Sequence, residues 1–167
     1  MLRFVPLDPV DFELYAGDLF SILWRNMDEI APSGNSYEED FAEWLNYNKS
    51  VIASGERKNI LFIDEEIDCI AGYFQYRLDK NCLWLDEIES LEDYQGKGLI
   101  YRPLMQYFLP KLPDSIDHYQ AYIHKNNLRS AAILEKMGAK TVGANSSGSS
   151  LLYRGTLADL NKWLEQK

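Results

Sequence analysis

A chain of 167 residues, 46% of them hydrophobic, has apolar material for one domain with a real core. Its formal net charge of −9 argues against general affinity for nucleic acid or for an anionic membrane surface. No apolar run reaches membrane-span length, Met1-Leu2-Arg3-Phe4 lacks a signal-peptide pattern, and Cys69 and Cys82 have neither CxxC spacing nor a nearby ligand cluster. The expectation is a cytoplasmic protein with two free, buried thiols and no metal site.

Leu2 to Pro6 predicts a short first strand. Asp8 can cap a helix with Pro9 in its first turn, and Phe12, Leu14, Tyr15, Leu19, Phe20, Ile22, Leu23 and Trp24 make that helix strongly apolar. Ile30 to Ser36 is a loop by composition. Ser36 and Glu39 form a capping box for a second helix whose apolar face is Phe41, Trp44, Leu45 and Tyr47. Asn59 to Ile63 and Cys69 to Arg77 read as strands, with Gly72 marking a bulge.

The next stretch organises the chain. Leu83, Trp84, Leu85 and Ile88 predict a strand, Glu92-Asp93-Tyr94 is polar, and Gln95-Gly96-Lys97-Gly98 breaks the pattern. From Leu99 to Leu109 apolar residues recur at helical spacing, ended by Pro110 and Pro113. A helix start offers N–H groups with no internal partner, and glycine lets an anion approach the backbone, so strand, glycine turn and helix together suit a phosphate. Lys97 adds positive charge. The P-loop pattern fails because Gly98 follows Lys97, and the dinucleotide fingerprint fails for want of a third glycine.

His118 to His124 is another strand, with Tyr119, Ala121 and Ile123 alternating against His118, Gln120, Tyr122 and His124. A helix from Arg129 to Lys136 stops at Gly138. Lys140 to Val142 and Ser150 to Arg154 make a hairpin around the Gly143–Ser149 loop. A polar amphipathic helix from Leu157 to Leu164, within a C-terminal segment 157–167, closes the chain.

Two of these motifs together resemble the GNAT superfamily of acyl-CoA-dependent N-acetyltransferases. Its pyrophosphate loop reads Arg/Gln-x-x-Gly-x-Gly/Ala; Gln95 and Gly98 match it, and Ile100 stands where Gly or Ala is usual. About thirty residues on, Asn127, Ser130, Glu135, Lys136 and Gly138 match the family's second motif, with Leu134 in place of its Tyr and Ala139 in place of its Phe. The resemblance implies one N-acetyltransferase-like domain over 1–167. It would be an α/β fold with a mixed, mostly antiparallel sheet flanked by helices, and a fourth and fifth strand that splay apart to admit acetyl-CoA.

The resemblance also implies roles. Backbone N–H groups of Gln95, Gly96, Lys97, Gly98, Leu99 and Ile100 would hold the pyrophosphate. Asn127 and Ser130 would reach the pantetheine, and an N–H in the stretch Ile88 to Ser90 would bind the thioester oxygen. The base is a carboxylate on the fourth strand. Glu87, eight positions before Gln95, fits the family spacing, with Glu89 and Asp86 left open. Leu134 has no proton to give a leaving thiolate, which leaves Tyr122 or His124 as the acid. The first two helices would wall the acceptor site with Trp24, Tyr37, Trp44 and Tyr47 and the acids Asp28, Glu29, Glu38, Glu39 and Asp40, a set suited to a cationic amine. A homodimer is among the arrangements left open. Two readings follow: transfer of an acetyl group from acetyl-CoA to an amine of a small molecule or peptide by direct attack, or a non-catalytic acyl-CoA-binding sensor or interaction domain on the same fold.

Overall fold

Strands β1 (Leu2–Pro6), β2 (Lys58–Asp64), β3 (Cys69–Asp79), β4 (Cys82–Ser90), β5 (His118–His124), β6 (Lys140–Ala144) and β7 (Ser150–Thr156) form one mixed sheet, ordered β1-β2-β3-β4-β5-β7-β6. The pairs β1–β2, β2–β3, β5–β7 and β6–β7 are antiparallel, and β4–β5 is parallel. Helices α1 (Phe12–Ile30), α2 (Tyr37–Ala53), α3 (Tyr101–Phe108), α4 (Leu128–Lys136) and α5 (Leu157–Glu165) flank it. The structure is a computed structural model, and it describes residues 1–166. Two compact units divide the chain: Met1–Arg77 with Glu87–Ile100, and Leu78–Asp86 with the chain from Tyr101 onward. Strand β4 passes from one to the other between Asp86 and Glu87.

In the first unit, Asp8 Oδ1 accepts the Val10 N–H at 3.0 Å and opens a 3₁₀ turn, Pro9–Asp11, that leads into α1. Helix α1 outruns its apolar stretch and ends at Ile30, where Pro32 follows; the Ala31 N–H still reaches Met27 O at 2.7 Å. The capping box of α2 is complete: Ser36 Oγ accepts from Glu39 N, and Glu39 Oε2 accepts from Ser36 N. Phe12, Ala16 and Leu19 of α1, Val51 and Ile52 of α2, Leu61 of β2 and Tyr73 of β3 form a buried cluster. Burial of each large side chain there is worth about 1.5–3 kcal/mol.

The β2–β3 register moves from Phe62↔Gly72 to Ile63↔Ile70, so Ala71 is the extra residue of a bulge and Gly72 its neighbour. Gly72 answers a second demand. A Cβ there would lie 2.2 Å from Glu89 O and 2.7 Å from the Phe62 ring, so only glycine lets β3 approach Glu89 so closely. Cys82 is buried as expected, whereas Cys69 is only partly so; neither forms a disulfide.

In the second unit the parallel register of β4 and β5 runs from Cys82↔His118 to Trp84↔Gln120. Helix α3 begins at Tyr101, two residues later than its apolar spacing predicts. Pro103 gives the reason: in a helix from Leu99 it would occupy a position whose N–H is needed, and its ring would meet the Leu99 carbonyl. From Tyr101 it falls in the first turn, where no N–H partner is lost.

Helix α4 ends in a Schellman motif, with Gly138 N–H on Glu135 O and Ala139 N–H on Leu134 O, each at 3.0 Å, and Gly138 at φ +94°. The Tyr119 hydroxyl donates to Met137 O at 2.9 Å, which fixes that end of α4 to β5. Gly155 of β7 makes room for the same tyrosine, because a Cβ there would stand 2.6 Å from its ring. The Thr156 hydroxyl caps α5, and Arg102 Nη1 donates to Trp163 O (2.8 Å) and Leu164 O (2.7 Å) at its other end. Of the C-terminal segment 157–167, the helix takes Leu157–Glu165 and Gln166 is extended; Lys167 lies outside the described residues. Among the described residues no helix is long and apolar enough to cross a membrane.

Candidate active site

Glu87 and Glu89 are two apart on β4 and project to one face of the strand. Tyr73 of β3 donates its hydroxyl to Glu87 Oε2 at 2.6 Å. Asn26 of α1 donates Nδ2 to Glu89 Oε2 at 2.6 Å and to Ser90 O at 3.2 Å. Burial raises the Glu89 pKa to about 8, and the negative charge of Glu87 adds to the rise, while the Asn26 hydrogen bond opposes it. Burial, then the Glu87 charge, pushes the Tyr73 phenol well above its ordinary value, so it stays a proton donor in the bond to Glu87. One strand face thus presents two carboxyls with different partners, Tyr73 at Glu87 and Asn26 at Glu89. Asp86, the third candidate, belongs to the second unit and has the opposite parity on the strand.

The glycine turn is tied to this pair. Gln95 Nε2 donates to Ser90 O at 2.8 Å and to Asn26 Oδ1 at 3.1 Å. Asn26 therefore bridges Glu89, Ser90 and Gln95. A 3₁₀ turn, Glu92–Tyr94, spans the interval, held where the Tyr94 hydroxyl donates to Asp64 Oδ2 at 2.7 Å. Gly96 and Gly98 adopt φ of +70° and +71°, the left-handed region that glycine enters without strain. A Cβ at either would meet no protein atom within 4 Å, so the protein leaves the space beside both glycines open. Lys97 is exposed and Leu99 is 43% exposed, whereas Ile100 is 5% exposed and turns its side chain inward. The bulk that departs from the GNAT pattern at position 100 is thereby buried. Ser90 is also buried, and the next N–H, of Leu91, is already committed to Ala71 O at 2.8 Å.

The remaining candidates belong to the second unit. Tyr122 is 47% exposed and stacks on Trp84, with ring centroids 5.8 Å apart and planes at 22°. His124 Nδ1 accepts the Asn126 N–H at 3.1 Å, which leaves the neutral ring's proton on Nε2. Asn127 Oδ1 caps α4 by accepting the Ser130 N–H at 3.1 Å, so both residues first serve the helix start. Leu134 is buried, as is its neighbour Met137. Among the described residues no group of three or more His, Cys, Asp or Glu could hold a metal ion.

A cavity of about 330 Å³ lies between α1 and α2. Trp24, Trp44, Tyr47, Asp28 and Asp40 of the expected acceptor wall line it, joined by Phe20 and Glu43. Tyr37 packs instead against Phe20 (5.1 Å) and Trp24 (5.4 Å), and Glu39 is engaged in the α2 capping box. Asp40 accepts from the Ser33 hydroxyl and from Asn35 Nδ2 (2.9 Å), bonds that hold its pKa below the ordinary carboxylate value.

Sequence reasoning missed Asn26, Tyr73 and Glu43. An amide late in an apolar helix and a tyrosine in an apolar strand carry no local signal of their partners.

The chain has the fold of GNAT-family acetyltransferases. An acetyltransferase of Thermus thermophilus superposes with a TM-score of 0.69 at 18% identity, over 93% of this chain and 97% of that one. The PaiA N-acetyltransferase of Thermoplasma acidophilum, solved in complex with coenzyme A, gives 0.70 at 14% identity, over 93% and 99%. A GNAT-family acetyltransferase of Staphylococcus aureus gives 0.66 at 13% identity, over 94% and 99%. No family model matches the chain, and no curated protein sequence is significantly similar to it.

Proposed function

We propose that residues 1–167 act as one cytoplasmic N-acetyltransferase domain that moves an acetyl group from acetyl-CoA to an amine by direct attack. The observation that carries this reading is the carboxyl pair Glu87 and Glu89, seated on one face of β4 by Tyr73 and Asn26 and linked through Asn26 to the glycine turn. The open left-handed glycines fit a pyrophosphate, with N–H groups from Gln95 to Ile100 as its donors. Bound acetyl-CoA supplies the activated thioester carbonyl. Glu87, hydrogen-bonded by Tyr73, takes the proton that the amine must lose, and a backbone N–H between Ile88 and Ser90 stabilises the developing oxyanion. Tyr122 or His124 returns a proton to the leaving thiolate. Asn127 and Ser130, at the start of α4, serve the pantetheine amides. The net charge of −9 and the acids between α1 and α2 favour a cationic acceptor.

Glu87→Gln tests this reading. It should lower kcat by about 10²–10⁴-fold, the range for a general base, leave CoA affinity within twofold, and recover partly at high pH where more amine is already neutral. Tyr122→Phe should lose rate while still binding both substrates. The second reading, an acyl-CoA-binding domain without turnover, draws on buried Leu134 in the place of the family's Tyr. It becomes the better account if CoA binds and every amine tried stays at the background rate in wild type and in both variants.

A further inference from the structure

The cavity between α1 and α2 is lined by aromatic rings and carboxylates. Phe20, Trp24 and Trp44 supply ring surface, and Asp28, Asp40 and Glu43 supply carboxylates; no Lys, Arg or His lines it. Tyr47 also lines it, but the Arg57 guanidinium already lies 5.1 Å from that ring's centroid, so the two tryptophans are the stronger contributors. Ring faces and carboxylates attract the same ligand, an organic cation, and both repel an anion. Asp40 is a fixed member of the set, because Ser33 and Asn35 hold its carboxylate in the ionised form. A volume of about 330 Å³ lies at the lower end for ligand pockets and suits one arm of a molecule rather than the whole of a large one.

Position along α1 relates this cavity to the carboxyl pair. Leu23, Trp24, Met27 and Asp28 line the cavity, while Asn26, in the same helical turn, reaches Glu89. At 3.6 residues per turn, Asn26 and Met27 occupy adjacent sectors around the helix. The cavity and Glu89 are thus served by neighbouring sides of one turn. A monoamine engaged at Glu87 makes no use of Asp28, Asp40 and Glu43 in the cavity. A molecule with two separated cations answers both.

Resting on the N-acetyltransferase reading, we infer that the acceptor is a flexible diamine or a longer polyamine-like cation, whose non-reacting ammonium and adjoining methylenes occupy the cavity between α1 and α2. Its aliphatic chain would lie against Trp24 and Trp44, and its charge would meet Asp28, Asp40 and Glu43.

The test compares a matched pair, 1,6-diaminohexane and hexylamine, by calorimetry with the full chain at low ionic strength, where each amine is protonated. The diamine should bind at least tenfold more tightly, and about 0.5 M salt should remove most of that preference. The Asp28→Asn, Glu43→Gln double variant alters two exposed side chains, so its fold should persist by circular dichroism, and the preference should fall to less than threefold. Equal affinity for the two amines in wild type overturns the inference, and so does a preference that survives in the folded double variant. Turnover with acetyl-CoA reads the other question separately. Preferential binding of the diamine without acetylation removes the enzyme reading and leaves the cavity's ligand class standing.

Discussion

Asn26 Nδ2 lies 2.6 Å from Glu89 Oε2, so α1 and β4 hold between them a carboxyl whose pKa burial raises to about 8. In the unfolded chain the same group titrates at its ordinary value, near 4.5. Between those two values the folded protein keeps a proton that the unfolded chain has released. Glu89 therefore contributes stability that is fully present below about pH 4.5 and lost as pH rises through about 8. A tenfold difference in proton affinity between the two states corresponds to about 1.4 kcal/mol, so the loss over this window is of the order of a few kcal/mol. Urea denaturation at one-unit steps from pH 5 to 9 should show wild type weakening across the range. Glu89→Gln, whose amide oxygen can still accept from Asn26, should show a flatter curve and its greatest relative gain at pH 8–9. Superimposable curves would remove Glu89 as the titrating group.

Gly98 offers a test of the proposed phosphate contact that separates charge from backbone strain. At φ +71° a non-glycine residue is strained, and Asn bears that conformation better than most. Gly98→Asn and Gly98→Asp are nearly isosteric and differ by one negative charge. Calorimetry with CoA at moderate salt should find the Asp variant at least tenfold weaker than the Asn variant. Equal affinities in the two would mean that no phosphate lies beside position 98.

Leu134 is 2% exposed. Restoring the tyrosine of the GNAT pattern there inserts a ring and a hydroxyl into a packed interior, at a cost of about 1–3 kcal/mol. Leu134→Tyr should lower Tm by several degrees in differential scanning calorimetry and should not exceed wild-type turnover. A variant that is as stable as wild type and faster would show that the interior yields there, and that the missing acid alone limits the rate.

Much of the fold was legible because its signals are local. The Ser36–Glu39 capping box, the Asp8 cap, the Gly138 stop and the strands Leu2–Pro6 and His118–His124 all depend on residues within a few positions of one another. The misjudged ends have local causes too: Pro103 moves the start of α3, and the absence of a breaker before Pro32 lets α1 continue to Ile30. Of the candidate site, Glu87, Glu89 and the glycine turn were named from the resemblance to the GNAT pattern. Asn26 and Tyr73 were not, because Asn26 meets Glu89 across 63 positions of sequence and Tyr73 meets Glu87 across 14. Side-chain partners at that separation are set by how β3, β4 and α1 pack, and no periodicity in the chain encodes the pairing.

The 2.6 Å between a would-be Cβ at position 155 and the ring of Tyr119 imposes an order on change. A side chain can enter at 155 only after position 119 has become smaller, and that first step forfeits the hydroxyl bond to Met137 O. The intermediate lacks one of the contacts that tie the end of α4 to β5. The two positions are therefore coupled: an alanine at 155 should cost less stability beside a smaller residue at 119 than beside Tyr119.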